Sequence, residues 1–171
     1  DIYMAISEEP AERMFNGYDK TFNSTAPIVG DYWKVLYKIV QESNILLNRC
    51  TPDIAGNDYT SLTAQARFFR AMAYYYLVET FGPVPLLTEE NTSVIQQAER
   101  TGEQAIYTFI ITELNDIKDK LDMTTISAGK VTNAAVIHFL GKMYLTRAYK
   151  SFAETDDFSN AACLLYTSPS P

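Results

Sequence analysis

Apolar residues recur at helical spacing in four stretches of the chain, and no stretch alternates with the period of a β-strand. The first stretch covers about 31–49, where a single polar residue, Asn44, interrupts the apolar stripe. A stripe with this period predicts an amphipathic helix, with Asp31 as its N-cap. Further helices are predicted at about 59–81, 101–121 and 132–153. A fifth helix is predicted to begin near Asp156.

The second predicted helix is apolar on two faces. One face consists of Leu62, Ala66, Phe69, Ala73, Tyr76 and Leu77, and the other of Phe68, Met72 and Tyr75. A helix with two apolar faces is expected in the middle of a helical bundle. Gly82 followed by Pro83 ends it. The third helix is instead predicted to be charged on one side, which carries Glu113, Asp116 and Lys120.

The second and fourth helices resemble each other at an offset of 68 residues, which aligns Ala73 with Gly141. Small residues at these positions would let a neighbouring helix approach closely. The offset is twice the tetratricopeptide period of about 34 residues, although the full consensus is absent. The predicted fold is therefore all-α, with degenerate tetratricopeptide-like hairpins, 31–81 and 101–153, stacked side by side.

The two ends differ in composition from this helical region. Residues 1–30 read as a weak helix followed by a turn-rich loop, and 31–162 as the helical domain. The segment 163–171 ends in Pro-Ser-Pro, lacks a helical period and resembles a translated sequencing adapter, so a non-native tail is expected. The chain begins with Asp and shows no leader, which indicates a mature form or an internal piece.

The composition argues against several classes of function. Lys and Arg number 14 against 21 Asp and Glu, giving a net charge of −7, whereas a general nucleic-acid-binding protein needs a basic face. Two cysteines and one histidine, His138, are too few for a zinc site. No apolar run approaches the ~20 residues of a transmembrane helix. We predict neither a metal nor a cofactor.

The sequence contains no recognisable catalytic motif. There is no Gly-x-Ser-x-Gly elbow, phosphate loop or dinucleotide fingerprint. The acidic pairs Glu8–Glu9 and Glu89–Glu90 are interpreted as solvated, and Cys50 lies at a helix end without a motif around it. A glycoside hydrolase would need two facing carboxylates. We therefore predict a protein that is not an enzyme.

Three polar residues within the apolar helices are interpreted as structural. Arg67 and Arg70 are expected to pair with carboxylates such as Glu79 or Asp31, the alternative being an anion site. Asn44 is expected to make a hydrogen bond between helices.

Aromatic and polar side chains alternate in the loop before the first long helix, at Phe15, Asn16, Tyr18, Asp19 and Phe22. Sugars present apolar ring faces and a rim of hydroxyls, which stacked aromatics and neighbouring Asn or Asp side chains can bind. Phe15, Asn16, Tyr18 and Asp19 are therefore candidate ligand-binding residues. The alternative is that these aromatics dock the loop on the helices.

Several motifs occur together in a fixed order. An alanine-arginine-aromatic-arginine helix over 64–78 runs into Phe-Gly-Pro-Val-Pro-Leu at 81–86. The segment 32–39 precedes Asn44, and Met-Tyr-Leu occurs at 143–145. Through these motifs, taken in their order along the chain, about residues 30–162 resemble the SusD/RagB family.

The resemblance implies a surface lipoprotein of the Bacteroidetes outer membrane. Such proteins bind glycans without catalysis and act as a hinged lid on a SusC-type TonB-dependent transporter. Family members are about three times this length, which implies an N-terminal-side piece that lacks the lipid-bearing cysteine and much of the glycan site. In this interpretation the motif residues are scaffold, namely Trp33, Arg67, Arg70 and Tyr144.

Other readings remain open. The cargo can be a peptide rather than an oligo- or polysaccharide. A plain tetratricopeptide-like scaffold would bind a protein or peptide in its concave groove, and a groove lined by Asn, Lys and Arg would favour it. An exposed aromatic platform on the loop would favour a sugar. We also expect an exposed hydrophobic patch on the helices, and consequently dimerisation or aggregation of this chain.

Overall fold

The computed structural model describes residues 23, 26–92, 98–122 and 129–167. Its helices are α1 (Pro27–Arg49), α2 (Pro52–Ala55), α3 (Tyr59–Phe81), α4 (Glu103–Ile117), α5 (Asn133–Arg147) and α6 (Asp157–Thr167). Within these ranges, extended pairing is limited to one isolated bridge, between Val84 and Thr101. None of the described helices combines the length and the apolar composition needed to cross a bilayer.

The five long helices pack in chain order, each antiparallel to the next. In the first hairpin, Trp33 near the start of α1 meets Phe81 at the end of α3, with ring centroids 4.9 Å apart. Asn44, further along α1, meets Arg70 in the middle of α3. This arrangement confirms the all-α prediction of stacked helical hairpins.

Helix α1 begins at Pro27, so the prediction of Asp31 as its N-cap is wrong. Proline suits the first helical position because its φ is already fixed there and no N–H is needed. Asp31 instead lies inside the helix, where it accepts a hydrogen bond from Lys34 at 3.0 Å. The bounds of α3 agree with the prediction, and Gly82 ends this helix with a φ of 68°.

Helices α4 and α5 are shorter than their predicted ranges of 101–121 and 132–153, because both end in turns that the apolar period does not reveal. The side chain of Thr132 caps α5 by accepting a hydrogen bond from the Ala135 amide at 3.2 Å. Capping of this kind satisfies one of the unpaired amides at a helix start.

Helix α6 extends to Thr167, five residues beyond the predicted end of the helical pattern at 162. Packing accounts for this difference, because Gly141 of α5 faces α6 without a side chain. A Cβ built at Gly141 would lie 2.9 Å from the Leu165 side chain. The close approach expected at Gly141 is therefore present. The assignment of 163–171 as foreign sequence stays a prediction.

The core lies between the successive helices, and its largest fully buried side chains include Tyr74, Leu77, Tyr107, Ile110, Leu114, Leu140 and Met143. Helix α3 is buried on two sides, as predicted, but Leu62 and Phe69 of one predicted face remain 39% and 37% exposed. The 68-residue offset carries over to burial in part. Ala73 and Gly141 are both buried, but Leu77 is fully buried while Leu145 is 38% exposed.

Candidate functional site

The predicted ligand-binding residues lie outside the described part of the chain. They are Phe15, Asn16, Tyr18 and Asp19. The described residues offer three other features with polar or recessed surfaces: an arginine network, a polar groove and an apolar groove.

The arginine network joins α3 to α4. Arg67 and Arg70 lie on one face of α3, and both donate to the carboxylate of Glu113. The Nη2 distances are 2.7 Å from Arg67 to Oε1 and 2.6 Å from Arg70 to Oε2. Arg67 also pairs with Asp116 at 2.7 Å. The prediction that both arginines pair with carboxylates is confirmed.

The predicted partners of these arginines, Glu79 and Asp31, are wrong. The prediction that Glu113 lies on a charged surface is also wrong, because Glu113 is buried. The antiparallel register places Glu113 opposite Arg67 and Arg70. Glu79, near the end of α3, pairs instead with Lys150 at 2.7 Å. Burial alone would lower the pKa of Arg67, but its bonds to the two carboxylates outweigh this effect and raise the pKa.

Every guanidinium nitrogen of Arg70 has a partner. Besides Glu113, Arg70 donates to Asn44 Oδ1 at 2.8 Å and to the Thr88 carbonyl at 3.1 Å. Asn44 donates in turn to the Leu87 carbonyl at 3.0 Å. The hydrogen bond between helices expected of Asn44 is present. The Glu113 carboxylate already compensates the charge of Arg70, which argues against the alternative of an anion site at this residue.

Residues 85–91, here called the 85–91 segment, are held by a polar stripe on α1. Tyr37 donates to the Pro85 carbonyl and Gln41 to the Asn91 carbonyl, both at 2.8 Å. From α3, the Tyr74 hydroxyl donates to the Leu87 carbonyl at 2.9 Å and accepts from its amide at 2.6 Å. Burial raises the pKa of Tyr74 to about 12, which keeps this hydroxyl protonated.

Glu90, in the 85–91 segment, is not the freely solvated carboxylate that was predicted. It accepts hydrogen bonds from Arg49 and Asn48, which lower its pKa. Glu89 is exposed, in agreement with the prediction, and Glu8 and Glu9 lie outside the described residues.

The polar groove lies between α4, α5 and the start of α6 and has a volume of about 680 Å³. Its lining consists of Thr108, Ile111, Thr112, Tyr144, Arg147, Ala153, Glu154, Thr155, Asp156 and Asn160. Arg147 is buried and donates to Asp157 at 2.6 Å and to Glu154 at 2.7 Å. The Tyr144 hydroxyl accepts from Asn115 at 3.1 Å.

The apolar groove lies between α1 and α3 and has a volume of about 650 Å³. Its lining consists of Val35, Lys38, Ile39, Glu42, Ser43, Leu46, Leu62, Gln65, Ala66, Phe69 and Met72. Val35 is 55% exposed. This surface is the exposed hydrophobic patch that the sequence led us to expect.

Sequence reasoning missed the polar groove because its lining comes from α4, α5, α6 and the residues between α5 and α6. Arg147 is the residue that could have indicated the groove from the sequence, because an arginine in an apolar helix requires carboxylate partners, as Arg67 does. Among the described residues, no group of three or more His, Cys, Asp or Glu side chains could hold a metal ion. His138 is exposed, and Cys50 and Cys163 are not joined in a disulfide.

Comparison with known proteins gives consistent matches. The SusD-like_3 family model, described as starch-binding and associating with the outer membrane, matches residues 5–145. A SusD-like protein of Bacteroides ovatus is 31% identical over 122 residues, which are 68% of this chain and 22% of that protein. SusD-like protein P2 of Formosa agariphila is 30% identical over 135 residues, covering 77% and 27% respectively. The chain thus spans about a quarter of these relatives.

Solved structures match in the same region. A crystal structure with xylogluco-oligosaccharide shares 27% identity and a TM-score of 0.69, over 79% of this chain and 28% of that one. A laminarin-binding SusD-like protein shares 28% identity and a TM-score of 0.68, over 78% and 28%. A SusD superfamily protein of Parabacteroides distasonis, at 24% identity and a TM-score of 0.76 over 90% and 33%, supports the fold alone.

Proposed function

The chain belongs to the SusD-like family, and from that membership we propose that it is part of a non-catalytic glycan-binding subunit of an outer-membrane uptake complex. The observation that carries this proposal is the family match over residues 5–145. Two relatives at 27% and 28% identity, one solved with xylogluco-oligosaccharide and one that binds laminarin, support a glycan as the ligand.

The proposed partner is a SusC-like TonB-dependent transporter, with attachment to the outer-membrane surface through a lipid anchor. The family's description as associating with the outer membrane supports this location. In such a complex the helical array would serve as a rigid body. The buried Arg70–Glu113 pair, which ties α3 to α4, suits that role.

We propose the aromatic loop as one part of the ligand site, through Phe15, Asn16, Tyr18 and Asp19. The family match begins at residue 5 and so includes this loop. Aromatic rings would stack on the apolar faces of a sugar, and Asn16 and Asp19 would bind its hydroxyls. Such contacts bind a glycan without breaking any bond.

A tetratricopeptide-like scaffold for a protein or peptide is the alternative function. A groove rich in Asn, Lys and Arg would favour it. The polar groove instead has a single basic residue in its lining, Arg147, and two carboxylates compensate its charge. This composition gives the peptide-binding alternative little support.

Affinity electrophoresis of the full-length protein tests the proposal. Gels would contain laminarin, xyloglucan, starch or an acidic polysaccharide. We expect at least one polysaccharide to retard the protein, and Tyr18→Ala to reduce the retardation. Tyr149→Ala, at an exposed site outside the loop, is the matched control.

The outcomes separate the function from the site. Retardation that survives Tyr18→Ala would keep the function and remove Tyr18 from the site. Retardation by none of the polysaccharides would contradict the proposed function.

A further inference from the structure

We propose that the polar groove between α4, α5 and α6 is a binding site for an electrically neutral oligosaccharide. The inference rests on the proposed glycan-binding function and adds to it a location and a ligand class. The groove volume of about 680 Å³ lies within the range of roughly 300–1,000 Å³ that is usual for small-ligand sites.

The groove offers both hydrogen-bond donors and acceptors, with the hydroxyls of Tyr144 and Thr155 and the amide of Asn160 as donors. The hydroxyls of Thr108 and Thr112 already donate to backbone carbonyls one turn earlier, at 2.9 Å and 2.8 Å. Their oxygens therefore face a ligand with lone pairs only. The carboxylates of Glu154 and Asp156 also accept without donating. A ligand whose groups both donate and accept, as sugar hydroxyls do, therefore fits this lining.

The only arginine in the lining does not provide a charge for an anion. The side chain of Arg147 is 6% exposed, and its nitrogens donate to Asp157 and Glu154. Asp157 is fully buried, while Asp156 adds another, exposed carboxylate at the rim. Sulfated or uronic-acid glycans would meet uncompensated like charge here, whereas a neutral glycan would not.

The same ion pairs hold the groove in shape before any ligand arrives. Asp157 accepts from the guanidinium of Arg147 and from the backbone amide of Glu154, the latter at 2.8 Å. These bonds tie the end of α5 to the start of α6 and to the residues between them. A preformed groove avoids part of the entropic cost of ordering its residues on binding.

The apolar groove is a poorer site for the same ligand. Its lining is formed mainly by aliphatic and aromatic side chains, with few polar groups to pair with hydroxyls. Each sugar hydroxyl buried there without a partner would lose its hydrogen bonds to water. Among the described surfaces, the chemistry of the polar groove therefore suits a sugar better.

Thr112→Arg in the full-length protein tests the inference, because it places a bulky donor in the groove from an exposed helical position. Thr60→Arg, at an exposed position near the start of α3, is the matched control. Asp156→Asn is the conservative second variant. Each would be run in affinity gels of laminarin, xyloglucan and polygalacturonate, with circular dichroism to verify folding.

We expect the neutral polysaccharides to retard the wild type and Thr60→Arg. Thr112→Arg should bind at least about tenfold more weakly, because the larger side chain occupies the groove. Asp156→Asn should weaken binding less. Unchanged retardation in a folded Thr112→Arg would overturn the site while leaving the glycan-binding function intact. Stronger retardation by polygalacturonate would overturn the ligand class. Retardation by no polysaccharide would overturn both proposals.

Discussion

At the scale of single residues, Glu113 makes the most consequential contact between α3 and α4. Its carboxylate lies between two guanidinium groups, and the side chain of Arg70 is only 8% exposed. Removing one member of a buried ion pair leaves the other without compensation, which costs far more than losing an exposed pair.

We predict that Glu113→Gln lowers the free energy of unfolding by about 3–5 kcal/mol, because the charge on Arg70 then remains buried without its carboxylate. Urea unfolding followed by circular dichroism would measure this change. Asp116→Asn is the matched control, since Asp116 is 52% exposed, and should cost about 1 kcal/mol or less. Equal effects of the two substitutions would contradict this account of the network.

The environment of Glu79 leads to a prediction about how the stability of the fold depends on pH. Burial alone would raise its pKa, but hydrogen bonds from Lys150 and Tyr107 outweigh this and lower the pKa below 4.5. A carboxyl whose pKa is lower in the folded state stabilises the fold above its unfolded pKa, and this contribution is lost as the pH falls through the folded value.

Glu79→Gln should therefore destabilise the protein at pH 7, and the difference from wild type should narrow as the pH falls below 4.5. Thermal unfolding at a series of pH values would measure it. Asp53→Asn, at an exposed carboxylate on α2, controls for the change in net charge. A difference that stays constant down to low pH would rule out the proposed role of Glu79.

The sequence predicted that these charged residues are paired but not which residues pair. An arginine within an apolar helix needs a carboxylate, so pairing at Arg67 and Arg70 followed from composition. The choice of Glu113 depends on the register between α3 and α4. Periodicity within a helix contains no information about it.

At the scale of secondary-structure elements, α1 not only forms a hairpin with α3 but also holds a connecting segment in place. Its polar stripe of Tyr37, Gln41, Asn44 and Asn48 holds the 85–91 segment along the helix. The sequence revealed only Asn44 as unusual, because Tyr37 falls on the apolar stripe of the predicted helix, and Gln41 and Asn48 are common on solvated helix faces. Their partners are backbone carbonyls and a carboxylate of a segment without regular structure.

We predict that Asn44→Leu accelerates amide exchange in the 85–91 segment by tenfold or more. The substitution removes the donor to the Leu87 and Glu89 carbonyls and the acceptor for Arg70. Hydrogen exchange followed by mass spectrometry would measure it. Asn48→Ala, near the end of the same stripe, should have a smaller effect, and equal protection in wild type and Asn44→Leu would contradict the role given to Asn44.

At the scale of the whole molecule, the described helices leave one large apolar surface uncovered. Val35, Leu62 and Phe69 in the apolar groove are each more than a third exposed. Contiguous exposed apolar patches of this kind commonly mediate association.

We predict that the 171-residue chain by itself forms dimers or larger aggregates, and that Phe69→Lys reduces this association by placing a charge in the apolar groove. Multi-angle light scattering over a range of concentrations would measure both. Tyr149→Lys, at a side chain that is 78% exposed in the turn after α5, is the control. A wild-type chain that stays monomeric at all concentrations would contradict the prediction.

The fold was more predictable than the site. The period of the apolar residues, together with Gly82–Pro83 at the helix end, predicted both ends of α3 correctly. The order of the helices along the chain predicted the antiparallel hairpins. The start of α1 was missed because Pro27 is also a common turn residue. The polar groove was missed because Thr112, Arg147 and Asp156 meet only once three helices are packed.

The most direct test of glycan capture without catalysis is size-exclusion chromatography of fluorescently labelled laminarin, xyloglucan and starch oligosaccharides incubated with the full-length protein. We predict that at least one labelled glycan elutes earlier with the protein and returns to its original elution volume after the protein is denatured. A glycan that elutes later than before incubation would show cleavage. Cleavage, or no shift with any of the three glycans, would contradict the account.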